Sequence, residues 1–129
     1  MTKIMVVDDE PALGELLVRF LGKKGDEAVG FTSGKKALAY LKDNPVSLVL
    51  TDVNMPEMNG IEVVRLAKQI RPDLPIIVMG SHIGDEEIKS NLFKLGITNY
   101  LSKPFELTFL EKTIELTLLS LPVRHDGVE

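Results

Sequence analysis

The chain has 129 residues, enough for one ordinary domain around a single core. Apolar residues make up 44% and charged residues 26%, a balance that argues against disorder, and the net charge of −4 leaves no basic footprint for direct contact with nucleic acid or anionic lipid. The absence of cysteine excludes disulfides, thiolate metal sites and thiol catalysis.

The N-terminus, MTKIMVVDDEP, reaches acidic residues after a short apolar run. It is therefore neither a signal peptide nor a membrane anchor, and a cytoplasmic location is expected. Ile4 to Val7 reads as a strand, Ala12 to Lys23 as a helix, Glu27 to Phe31 as a weaker strand and Lys35 to Asp43 as a second helix. A strand at Val46 to Thr51 precedes a helix at Ile61 to Ile70, and a strand at Ile76 to Met79 precedes a helix at Glu86 to Leu95. The last pair is a strand at Ile97 to Leu101 and a helix at Glu106 to Leu121. Strand runs that are continuously apolar imply burial on both faces and hence a parallel sheet. Five alternations of strand and helix predict a doubly wound α/β fold with right-handed crossovers. Residues 1–121 are expected to form one domain, and the aperiodic tail 122–129, PVRHDGVE, to fray or to begin a connection.

On the last helix, Leu107, Leu110, Ile114 and Leu118 recur at helical spacing and are expected to face the sheet. Phe109, Leu116 and Leu119 widen that apolar face. Either they thicken the core, or they form a surface for a partner, a second copy or a further domain.

Ligands of open parallel sheets bind beyond the carboxyl ends of the strands. Asp8, Asp9 and Glu10 end the first strand and Asp52 ends the third. If those strands are neighbours, three or four carboxylates crowd one rim, which opposes folding unless a cation or a proton intervenes. A magnesium ion, which takes one or two carboxylates, waters and a substrate oxygen, is the natural counter-charge. Helix capping ahead of Pro11 is the plainer alternative, but it needs one acid rather than three. Lys103, before Pro104, ends the fifth strand; it is either solvated or a point charge for an anion at the same rim, and a cis Lys103–Pro104 bond is one way to aim it inward.

These residues resemble the receiver domain of two-component response regulators over the chain up to Leu121. The resemblance is carried by VVDDEP at 6–11, TDVNMPEMNG at 51–60, a hydroxyl residue after the fourth strand, and YLSKPF at 100–105. It implies a flavodoxin-like sheet in the order 2-1-3-4-5 with five helices, and a signalling switch rather than an enzyme. Asp52 is then the phosphoacceptor for a histidine kinase or phosphotransfer protein. Mg²⁺ is held by Asp9, Asp52 and the backbone carbonyl of Asn54, with Asp8 alongside. Lys103 pairs with the phosphoryl oxygens, and Ser81 and Tyr100 are the residues that move. The responding surface is the fourth helix, fifth strand and fifth helix, which serves an output partner or a homodimer.

The match loosens after the fourth strand, in PIIVMGSHIGDEE. Counting forward from Pro75 puts the expected hydroxyl at Gly80; counting back from Lys103 puts it at Ser81, which is preferred because it offers a hydroxyl. Asn54 and His82 are candidate modulators, His82 standing where a small residue is usual; a solvated loop histidine is its plainer reading. An aspartate-nucleophile phosphatase needs an acid two residues after Asp52, where Asn54 has no proton to give. A flavin site is disfavoured by DDE after the first strand, and a P-loop by the spacing in GFTSGKKA. A receiver-like module that binds protein without phosphorylation is the remaining rival.

Overall fold

The computed structural model describes residues 2–55, 58–81 and 83–119. His82 and the tail at 122–129 lie outside the described residues. Strands β1 (Lys3–Val7), β2 (Glu27–Phe31), β3 (Leu48–Asp52), β4 (Ile76–Gly80) and β5 (Tyr100–Ser102) alternate with helices α1 (Pro11–Lys23), α2 (Gly34–Asp43), α3 (Gly60–Ile70), α4 (Glu86–Lys94) and α5 (Leu107–Leu119). The sheet is parallel throughout, in the order β2-β1-β3-β4-β5. The chain has the expected doubly wound fold.

Side chains alternate across a strand, so each central strand feeds two cores. Ile4 and Val6 of β1, Leu48 and Leu50 of β3, and Ile77 and Met79 of β4 join Leu17 and Leu21 of α1 and Leu110 and Ile114 of α5 on one face. Met5, Val7, Val49, Ile76 and Val78 join Ala37 and Leu41 of α2, Val63, Val64 and Ala67 of α3 and Leu92 of α4 on the other. Each fully buried aliphatic side chain contributes about 1.5–3 kcal/mol, so these two layers are the main force that closes the sheet. β2 is an edge strand and only partly buried, which is why its apolar signal is weaker.

Side-chain caps set three helix starts: Ser33 Oγ accepts from Lys36 N–H at 3.3 Å, Asn59 Oδ1 from Ile61 N–H at 2.7 Å, and Asp85 Oδ1 from Glu87 N–H at 2.9 Å. Helix α1 starts instead with Pro11, whose missing N–H costs nothing at that position.

Two strands differ from the sequence reading by more than one residue at an end. The third strand runs from Leu48 to Asp52 rather than from Val46 to Thr51, because pairing with β1 begins at Leu48 opposite Ile4. Val46 packs against the core without joining the ladder. The fifth strand is Tyr100–Ser102 rather than Ile97 to Leu101. Ile97 is buried because it closes α4, its N–H donating to Leu92 O at 2.9 Å after a turn at Gly96 with φ +84°. Helix α5 begins at Leu107 rather than Glu106, and its expected last residues lie outside the described residues.

On α5, Leu110 and Ile114 are buried and Leu107 and Leu118 partly so, as the spacing implies. Phe109, Leu116 and Leu119 are exposed, which rules against the thicker core. No helix among the described residues is long and apolar enough to cross a membrane.

Candidate functional site

The carboxyl ends of β1, β3 and β5 meet at one rim, and the side-chain alternation that builds the core carries on into it. Asp8 continues the parity of Ile4 and Val6, Asp52 that of Leu48 and Leu50, and Lys103 that of Leu101, all residues of the α1–α5 face. Lys103 Nζ consequently donates to Asp8 Oδ2 and Asp52 Oδ2, each at 2.9 Å, and reaches Glu10 Oε1 at 3.4 Å. The Lys103–Pro104 peptide is cis. Asp9 is only partly buried, yet carboxylate oxygens of Asp8, Asp9 and Asp52 all lie within 4.8 Å of one another.

Both buried carboxylates are also held by the backbone. Asp8 Oδ1 accepts from Glu10 N–H and Asp52 Oδ1 from Asn54 N–H, both at 2.8 Å. Glu10, the N-cap residue of α1, makes no capping bond through its side chain, so capping does not account for the acidic run. Burial pushes the Asp8 carboxyl up, against the opposing pull of the Lys103 and Glu10 N–H hydrogen bonds. Burial alone would push the Lys103 ammonium down; its hydrogen bonds to Asp8 and Asp52 and their charges outweigh that and hold it above the ordinary lysine range. The ammonium is fully charged at neutral pH. Three clustered carboxylates face this one cation, a surplus of hard anionic oxygens that fits a divalent metal ion such as Mg²⁺.

The third strand ends against a close approach. A Cβ on Gly60 would lie 2.3 Å from Asp52 O and 2.3 Å from Val53 Cα, backbone atoms with no room to yield. Only glycine allows α3 to start directly beneath the strand end that carries Asp52.

On the other side of the site, the last residue of β4 is Gly80, paired with Ser102. Ser81 is the first residue past the strand and is exposed. Its N–H donates to Asn54 Oδ1 at 3.1 Å, and its hydroxyl lies 3.5 Å from the same oxygen. Ser81, Asn54, Asp9, Glu10, Asp52 and Lys103 together line a cavity of about 300 Å³. The structure thus brings Asp8, Asp9, Asp52, Asn54, Ser81 and Lys103 to one place. Tyr100 stands apart, partly buried on β5 opposite Val78 and packed against the core on the α2–α4 face. His82 lies outside the described residues.

Glu10, part of the acidic run read from the sequence, joins the Lys103 cluster through an exposed carboxylate. One feature escapes sequence reasoning. The side chain of Asn54 bonds the loop after β4; its only trace in the sequence is Gly80, an odd residue in a bulky strand and a mark of close backbone approach.

Residues 4–115 match the family model described as response regulator receiver domain. Response regulator RR06 of Streptococcus pneumoniae is 35% identical over 123 residues, which are 95% of this chain and 56% of that protein, so the chain spans about half the length of this relative. The receiver protein CpdR of Brucella abortus is 35% identical over 120 residues, 93% of this chain and 99% of that one. Among solved structures, response regulator TrrA of Thermotoga maritima in complex with Mg²⁺-BeF superposes with a TM-score of 0.79 at 29% identity, covering 91% of this chain and 99% of that one.

Proposed function

Since the chain belongs to the response regulator receiver domains of two-component signalling, we propose that it is a switch set by phosphorylation of Asp52. The reading rests above all on Lys103 Nζ, which joins the buried Asp8 and Asp52 at 2.9 Å each beside Asp9. One oxygen of Asp52 forms a bond to phosphorus while the bond from phosphorus to the donor imidazole of a histidine kinase or phosphotransfer protein breaks, the imidazole leaving with its electron pair. Asn54 N–H fixes the carboxylate through Oδ1, and Lys103 neutralises charge that develops on the phosphoryl oxygens.

Asp9, Asp52 and the Asn54 carbonyl, with Asp8 alongside, are the residues that would hold Mg²⁺. Bound there, the ion would supply further positive charge to the phosphoryl oxygens, and the Mg²⁺-BeF complex of TrrA supports Mg²⁺ as the ion. The rim side chains promote phosphorylation and dephosphorylation of this aspartate alone, so the chain is a switch and not an enzyme with a separate substrate.

Phosphorylation replaces a carboxylate by a group of about −2 charge, for which Ser81 offers donors from the cavity wall. Tyr100, α4 and α5 are the responding elements, and Phe93, Phe109, Leu116 and Leu119 are their exposed apolar side chains toward an output partner or a second copy. Gly80 at the end of β4, with the Ser81 N–H already engaged, favours a second reading: a binding module that is never phosphorylated.

Incubation with acetyl phosphate and Mg²⁺ followed by intact mass separates the two. Phosphorylation adds one phosphoryl group to the wild type and none to Asp52→Ala or in the presence of a chelator. An unchanged wild-type mass selects the binding module.

A further inference from the structure

We infer that the Asn54 carboxamide is a latch, which ties the loop after β4 to the loop after β3 in the unphosphorylated protein by way of Ser81. Its existence follows from the geometry; its role in signalling rests on the phosphorylation of Asp52 proposed above. Asn54 N–H is bonded to Asp52 Oδ1 at 2.8 Å while its side-chain Oδ1 accepts Ser81 N–H at 3.1 Å. One residue therefore reads the acceptor carboxylate with its backbone and grips the neighbouring loop with its side chain.

Gly80 is the second half of the device. A Cβ at this position would lie 2.9 Å from Asn54 Oδ1 and 2.5 Å from Cγ1 of the buried Val53. The Asn54 side chain is exposed and Val53 is packed in the core, so a methyl group here would displace the carboxamide and also press on Val53. Gly80 leaves open the space through which Asn54 reaches Ser81.

The latch is also built to yield. An exposed bond between two neutral groups is weak beside one to an anionic oxygen, which is roughly twice as strong. Ser81 already lines the cavity with Asp52 and Lys103, so phosphoryl oxygens on Asp52 compete with Asn54 for the same N–H and hydroxyl. Release of Ser81 from Asn54 frees the start of the connection to α4.

Residue-resolved amide hydrogen exchange of the unphosphorylated protein tests this in the wild type, Asn54→Ala, Gly80→Ala and the double variant. Each single substitution is expected to speed exchange at Ser81 about fivefold, the size of one net hydrogen bond. The double variant exchanges no faster than Gly80→Ala alone, and in Asn54→Ala Val78 in the middle of β4 keeps its wild-type rate. Unchanged exchange at Ser81 in Asn54→Ala, further acceleration when Asn54→Ala is added to Gly80→Ala, or equal acceleration at Val78 in Asn54→Ala overturns the latch. Asn54→Ala alters an exposed side chain, so the test stands even if Gly80→Ala does not fold. Intact mass after acetyl phosphate is read separately: no added phosphate with Asn54-dependent protection of Ser81 refutes the phosphorylation and leaves the latch, and the reverse pattern refutes the latch alone.

Discussion

Replacing Lys103 by methionine keeps most of the apolar stem and removes the charge that two buried acids share. In the structure the side chains of Asp8 and Asp52 are 0% and 4% exposed, and that of Lys103 is 16% exposed. Without the ammonium, the two carboxylates face each other with oxygens no more than 4.8 Å apart. At an effective dielectric of about 20, two unit charges at that distance repel by about 3.5 kcal/mol. That value falls within the roughly 3–5 kcal/mol lost when one partner of a buried ion pair is removed. Urea unfolding without divalent metal is therefore expected to show Lys103→Met less stable than wild type by about 3–4 kcal/mol at neutral pH.

Added Mg²⁺ distinguishes this cause from lost packing. A ligand present at a hundred times its dissociation constant stabilises the folded state by about 2.7 kcal/mol. The variant, with no ammonium competing for the carboxylates, gains more from a given Mg²⁺ concentration than the wild type does. A loss below about 1 kcal/mol, or equal gains from Mg²⁺ in the two proteins, would refute the electrostatic account of the rim.

Two further substitutions test how the rim is supported. Gly60→Ala drives a methyl group into Asp52 O and Val53 Cα; it is expected to destabilise by about 3 kcal/mol, at the upper end for overpacking. Wild-type stability by urea unfolding contradicts that close approach. At the opposite end of the sheet, Thr117 is buried, accepts from Asn99 Nδ2 at 2.7 Å and donates to Thr113 O. Thr117→Val leaves the Asn99 amide without this acceptor and is expected to cost about 1–2 kcal/mol, read from the same unfolding curves; a neutral effect would show that water replaces the hydroxyl.

The core was legible because unbroken apolar strand runs and period-3.6 helical apolarity are written locally. Ile4 to Val7, Ile76 to Met79 and the α5 series Leu107, Leu110, Ile114 and Leu118 carry the pattern without reference to any other segment. Ile97 misled for the same reason: apolarity records burial, and a helix closing on the core buries a residue as well as a strand does. The acidic run, Asp52 and Lys103 stood out as charges at the ends of apolar strands.

The sequence alone thus determined which side chains terminate the strands, and so which charges are available at the rim. Tertiary structure alone decided that Asp8, Asp52 and Lys103 converge, because adjacency in the order β2-β1-β3-β4-β5 and shared pleat parity are properties of paired strands. It likewise decided that the Ser81 N–H faces Asn54 rather than Asp52, and that Phe109, Leu116 and Leu119 lie outside the core. Hydrogen bonds between loops 27 residues apart depend on distances of a few tenths of an ångström, which hydrophobic periodicity does not encode.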